Sequence, residues 1–185
     1  MGNIRGQSIL SLVKYLRNNF GEEGYKKALD TLELMDREVF KGRLTPMGWY
    51  PAGAFVNMME AAESIFGTGD YKLCEKIGNF SAEESFSGIY RIFIELSDVS
   101  IILGKAPLAW RIINDTGNLE MLEVTGTSAI CRIKGYDYPK KAFCSELGGY
   151  FSRVLDLVGA RNVKVEEKRC RMSGAEYCEY EVKWE

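Results

Sequence analysis

Through the first third of the chain apolar residues recur at three- and four-residue steps: Ile9, Leu10, Leu12, Val13 and Leu16, then Tyr25, Ala28, Leu29 and Leu32. That period stacks side chains on one helical face and predicts amphipathic helices, with Ser8 placed to cap the first. Leu44, Pro46, Gly48, Trp49, Tyr50 and Pro51 interrupt the pattern and predict a loop that enters a helix over residues 52–66. Asp70 is positioned to cap a further helix running towards Phe86. Residues 89–103 have helical length and a dense apolar run (Ile92, Phe93, Ile94, Leu96, Val99, Ile101, Ile102, Leu103), which predicts a helix buried on most of its faces.

Beyond Pro107 the pattern changes. Leu119, Met121, Leu122 and Val124 precede Gly126, and Ile130 and Ile133 precede Gly135, so short segments bounded by glycine predict two antiparallel strands. Pro139 then opens the clearest amphipathic helix, with Phe143, Leu147, Tyr150, Phe151, Val154, Leu155 and Val158 on one face and Gly159 closing it. Two last strands are predicted over residues 162–167 and 179–184. Together these elements predict an α+β fold: an N-terminal helical layer packed on a small antiparallel sheet, a long C-terminal helix and a final β-hairpin. With no repeat, linker or low-complexity tract, residues 1–185 read as a single domain.

Composition narrows the function classes. Of 185 residues 46% are hydrophobic and 27% charged, an ordinary globular balance. No apolar stretch reaches the roughly 18 residues that a bilayer span requires, and the N-terminus lacks a signal-peptide core, so no membrane span and a cytoplasmic location are expected. A net charge of −2 without a dense basic block argues against nucleic acid as a partner. The chain contains no histidine, which removes imidazole-activated nucleophiles, HExxH metal chemistry and a proximal histidine for haem. With no nucleotide fingerprint or acid–base pair either, binding is favoured over catalysis.

Five cysteines, an odd number, favour thiols and metal ligation over a disulfide framework. Cys170 and Cys178 flank a turn of Met172, Ser173, Gly174 and Ala175, and a hairpin would bring them together. On spacing alone a hairpin disulfide, two buried thiols and a metal site all stand open. Cys144 and Glu167 would complete a four-coordinate shell, and three thiolates and a carboxylate around a divalent cation leave net negative charge that Lys164, Lys168, Arg169 and Arg171 could offset. Side chains alternate along a flat strand, so Glu167 and Cys170, three apart, can share a face only if the strand ends or bulges around Lys168 and Arg169.

Residues 144–184, read as Cys-x-x-Leu-Gly-Gly-Tyr, then Val-Lys-Val-Glu-Glu-Lys-Arg-Cys, then Gly-x-x-x-Cys-Glu-Tyr-Glu-Val, resemble the C-terminal half of the 4-vinyl-reductase domain family. That family includes the sensory domains of aromatic-responsive transcription activators, and its fold is shared with transport protein particle subunits. The resemblance implies zinc as cofactor, held by Cys144, Glu167, Cys170 and Cys178, a homodimer, and a cavity between the helices and the sheet. A second and looser resemblance lies at Asn19-Phe20-Gly21-Glu22-Glu23 and the helices after it, which are similar to the start of haem nitric-oxide-binding domains.

Phe93, Glu95, Trp110, Phe143, Leu147, Phe151 and Val165 are the expected ligand-binding residues, and the Gly148-Gly149 pair inside a helix predicts close approach of another backbone or of a ligand. The implied function is binding or sensing of a small hydrophobic or aromatic molecule, with a regulatory protein as the downstream partner. Two alternatives are an enzyme or accessory acting on a tetrapyrrole vinyl group, and a lipid-binding tethering scaffold.

Overall fold

In the computed structural model residues 2–87, 92, 94 and 97–185 are described. The chain opens with β1 (Asn3–Arg5), which pairs antiparallel with β2 (Trp49–Pro51), Ile4 opposite Tyr50. Between them run α1 (Gly6–Asp30) and α2 (Leu34–Lys41). α1 breaks at Gly21, whose φ of +70° lies in the region that only glycine adopts freely. Phe20, at the break, stacks on Phe66 at 4.1 Å and ties the kink to α3 (Ala52–Phe66). α3 is apolar on most faces and carries Ala54, Phe55, Val56, Met58 and Met59 into the centre of the core.

A buried glutamate organises the turn after α3: Glu63 Oε1 accepts from the backbone N–H groups of Gly69 and Tyr71, both at 3.1 Å. Asp70 Oδ1 accepts from Lys72 N at 3.2 Å, and α4 (Lys72–Ser85) follows. Much of the helix expected over residues 89–103 lies outside the described residues, though Ile92 and Ile94 are helical. Its described successor, α5 (Val99–Ile113), starts at Asp98, whose carboxylate accepts from Ser100 N at 2.7 Å, and passes through Pro107. Along α5, Leu103 and Trp110 turn inward while Ile101, Leu108 and Ile112 are exposed. A proline inside a helix forfeits one backbone hydrogen bond, and the packing of Leu103 and Trp110 offsets that loss.

The second half holds β3 (Asn118–Leu122), β4 (Ser128–Lys134), α6 (Lys141–Val158), β5 (Lys164–Arg169) and β6 (Cys178–Lys183). The four strands form an antiparallel sheet in the order β3-β4-β6-β5. Ala129, Cys131 and Ile133 alternate inward along β4, and so do Cys178, Tyr180 and Val182 along β6, giving the sheet one face turned to the helices. The fold is thus α+β, as the pattern predicts.

α4 and α6 cross with their backbones touching. A Cβ on Gly78 would stand 1.9 Å from the Glu146 carbonyl oxygen, and one on Gly149 would stand 2.0 Å from that of Glu75. Of the glycine pair singled out in the sequence, Gly149 therefore makes the close approach, to a backbone, while a Cβ on Gly148 would meet nothing within 4 Å. Among the described residues no helix is long and apolar enough to cross a membrane.

Candidate functional site

A cavity of about 650 Å³ lies between α1, α5 and α6 on one side and β3, β4 and β6 on the other. That is within the usual range for small-molecule sites. Its walls are mainly apolar, and Lys14 and Glu84, paired at 2.6 Å and both partly exposed, stand where it reaches solvent. Trp110, Phe143, Leu147 and Phe151, expected ligand-binding residues, all line it. Val165 does not: it sits on β5 opposite Val182, one strand too far out. Phe93 and Glu95 lie outside the described residues. Trp110 is fixed by donation of its indole N–H to the Thr116 carbonyl at 3.1 Å, and Phe143 by stacking on Tyr136 at 4.4 Å.

Two polar groups in the wall went unnoticed in the sequence. Glu146 occupies the apolar stripe of α6 together with Phe143, Leu147 and Tyr150, and burial pushes its carboxyl group up to about 8. An acid at a core-facing position of a strongly amphipathic helix is itself a sequence signal. Asn114, just past α5, exposes an Oδ1 that is buried without a hydrogen-bond partner. Cys131 reaches the cavity from β4, and burial pushes its thiol well up.

On the far side of Phe143 and Leu147, Cys144, Glu167, Cys170 and Cys178 converge, with one potential ligand atom from each within 4.8 Å of all the others. Cys144 lies in the first turn of α6, and Tyr180 Oη donates to its carbonyl at 3.1 Å, pinning the helix to the sheet. The required bulge is present: strand register shifts between Glu167 and Arg169, which returns Cys170 to the inner face. Cys144 Sγ stands 3.7 Å from Cys170 Sγ and 3.9 Å from Cys178 Sγ, and all five cysteines are free thiols.

Hydrogen bonding with Cys178 and burial push the Cys144 thiol up, whereas the same hydrogen bond holds Cys178 below its ordinary value. Four such groups cannot all ionise together without a cation between them. Glu167 Oε2 pairs with Lys141 at 2.6 Å, while its Oε1 is buried without a hydrogen-bond partner. Lys141 is thus a cation at the cluster that the sequence reading left out. Of those expected there, Lys168 and Arg169 pair instead with Glu166, Glu181 and Glu179.

No family model matches the chain, and no curated protein matches it by sequence. Solved structures do match. An H-NOX protein from S. oneidensis in its Fe(II)NO state aligns with a TM-score of 0.75 and 9% identity over 98% of this chain and 99% of that one. The unliganded Fe(II) H-NOX protein from K. algicida gives 0.71 and 13% over 98% and 97%. An oxygen-binding H-NOX domain related to soluble guanylate cyclases gives 0.69 and 12% over 98% and 95%. The fold along the whole chain is therefore that of H-NOX domains.

This overturns the expected membership of the 4-vinyl-reductase family. That expectation rested on residues 144–184, and a local motif does not constrain the helices before it. The looser resemblance at residues 19–23 is the one the fold follows. Zinc as cofactor falls as well, because the H-NOX proteins from S. oneidensis and K. algicida are described in Fe(II) states.

Among the described residues the cavity wall offers no histidine-like ligand for a haem iron either. The chain has no histidine, and the Cys131 thiol and Tyr150 phenol in the cavity wall are both raised by burial, towards the neutral forms that ligate poorly.

Proposed function

We propose that the chain is a small-molecule-binding module of the sensing class, whose ligand is compact and mainly apolar and lies in the cavity between the helices and the sheet. The cavity itself carries this reading, with a size suited to one small organic molecule and an aromatic lining from Trp110, Phe143 and Phe151. The H-NOX structures, solved with NO, CO or oxygen, support sensing as the class. Lack of histidine shifts recognition here from an iron centre to the walls. A thermal-shift screen of small aromatic and aliphatic compounds, with native mass spectrometry of the purified protein, tests the reading. A saturable rise in melting temperature is expected. No rise with any compound, and no molecule retained on purification, would sink it.

Cys144, Glu167, Cys170 and Cys178 are in this reading the ligands of one tetrahedral, thiophilic metal ion with a structural role. Metal–thiolate bonds of about 2.3 Å in a tetrahedron put sulfurs about 3.8 Å apart, which the 3.7 and 3.9 Å separations meet. The unpartnered Glu167 Oε1 supplies the hard ligand. Such an ion would tie α6 to the β5–β6 hairpin behind the cavity wall formed by Phe143 and Leu147. Elemental analysis across the first-row transition metals, on protein purified under reducing conditions, should return one ion per chain. Absence of any stoichiometric metal would rule it out.

A further inference from the structure

Most buried polar side chains of this protein are satisfied by the fold. Glu63 accepts two backbone N–H groups, and Ser11 donates to Ser81 at 3.3 Å. The cavity wall holds two exceptions. Glu146 is only 6% exposed, and among the described residues no hydrogen bond or ion pair reaches its carboxyl group. Asn114 is equally buried; its Nδ2 donates to the Trp110 carbonyl at 3.5 Å, and its Oδ1 accepts nothing.

Asn114 Oδ1 can only accept, and the Glu146 carboxyl group accepts at both oxygens once it is ionised, so a ligand that brings donors satisfies both. Among the described residues the cationic side chains in the cavity wall, Lys14 and Lys105, belong to exposed residues, and Lys14 is held by Glu84 at 2.6 Å. A hydroxyl ligand would bring one donor and a further acceptor. An ammonium group brings several donors, no acceptor, and a charge that complements a carboxylate removed from water.

We propose that the cavity takes a compact, mostly apolar amine, and that the Glu146 carboxyl group holds its ammonium head. This inference rests on the cavity being a binding site and names the class of molecule that fills it. Asn114 Oδ1 offers a second acceptor within the same walls.

Isothermal titration of the whole chain with phenethylamine, phenethyl alcohol and ethylbenzene separates the possibilities, because the three share an apolar body and differ in the head. Phenethylamine should bind the unmodified protein at least about tenfold more tightly than either of the others. Glu146→Gln keeps the shape and removes the charge, so it should bring the amine down to the level of the hydrocarbon while leaving ethylbenzene binding unchanged. Should that variant not fold, the ranking on the unmodified protein decides alone. Equal affinity for amine and alcohol, or for all three compounds, would overturn the amine assignment and leave the cavity reading standing. Binding of none would remove both.

Discussion

Replacing Gly149 by alanine places a methyl group where the α4 backbone already is. The added Cβ would stand 2.0 Å from the Glu75 carbonyl oxygen, 2.8 Å from its carbon and 3.1 Å from Cα of the same residue. A carbon–oxygen contact settles at about 3.3–3.6 Å, so α4 and α6 must part by more than roughly 1 Å. No flexible side chain stands there to yield. A gap of roughly 0.5–1 Å already forfeits a quarter to a half of each dispersion contact along the crossing. Parting the helices also opens the matching contact of Gly78 with the Glu146 carbonyl. Overpacking of this kind costs about 1–3 kcal/mol, against a gain of roughly 0.5–1 kcal/mol from alanine's helix propensity.

The net expectation is a loss of about 1–2 kcal/mol, read as a fall in Tm of about 2–8 °C for a chain of this size. Gly148→Ala is the control one residue away. Its Cβ meets nothing within 4 Å, so only the propensity gain remains and Tm should rise by about 1–4 °C. Both variants are compared with the parent by differential scanning calorimetry and urea unfolding. A Gly149→Ala protein that melts at or above the parent, or a Gly148→Ala protein that falls as far, would refute the close-crossing account.

Cys170→Ser should abolish stoichiometric metal and lower the melting temperature of metal-loaded protein, whereas Cys131→Leu should leave metal content unchanged and weaken ligand binding by filling cavity space; elemental analysis and titration read the two apart. Tyr180→Phe removes the buried bond to the Cys144 carbonyl and should cost about 1–3 kcal/mol in urea unfolding, because the acceptor is left unpaired; a neutral result would place the pinning of α6 elsewhere. Asp70 is held down to about 2, first by its interaction with Lys72 and then by Thr68, so its contribution is present above its ordinary value near 3.8 and is lost as pH falls towards 2. Asp70→Asn should therefore narrow its stability deficit to the parent across that window, and a deficit independent of pH would contradict the assignment.

Elements whose partners are local in the chain were legible before folding. The helix predicted over residues 52–66 coincides with Ala52–Phe66, and the amphipathic run closed by Gly159 coincides with Lys141–Val158 within two residues. In both cases side-chain period and a terminal breaker act within a few residues of each other. The bulge between Glu167 and Arg169 was legible for the same reason: a three-residue spacing and strand alternation cannot both hold on one face without it. α5 was less so. Its start at Asp98 and its passage through Pro107 depend on Leu103 and Trp110 finding a core that neighbouring residues do not reveal.

The sequence by itself determined the α+β class, the positions of most elements, the exclusion of imidazole chemistry and the identity of the four residues that converge behind α6. Tertiary structure alone decided which fold those elements build and what surrounds each polar group. Glu146 was not singled out by the pattern, yet it is a buried acid in the cavity wall; Gly148 and Gly149 read alike, yet only Gly149 touches α4. The physical reason is common to both. Period assigns a residue to a face, but desolvation, unmet hydrogen bonds and steric contact depend on atoms brought from far along the chain, and those distances exist only once α4, α5, α6 and the sheet have packed.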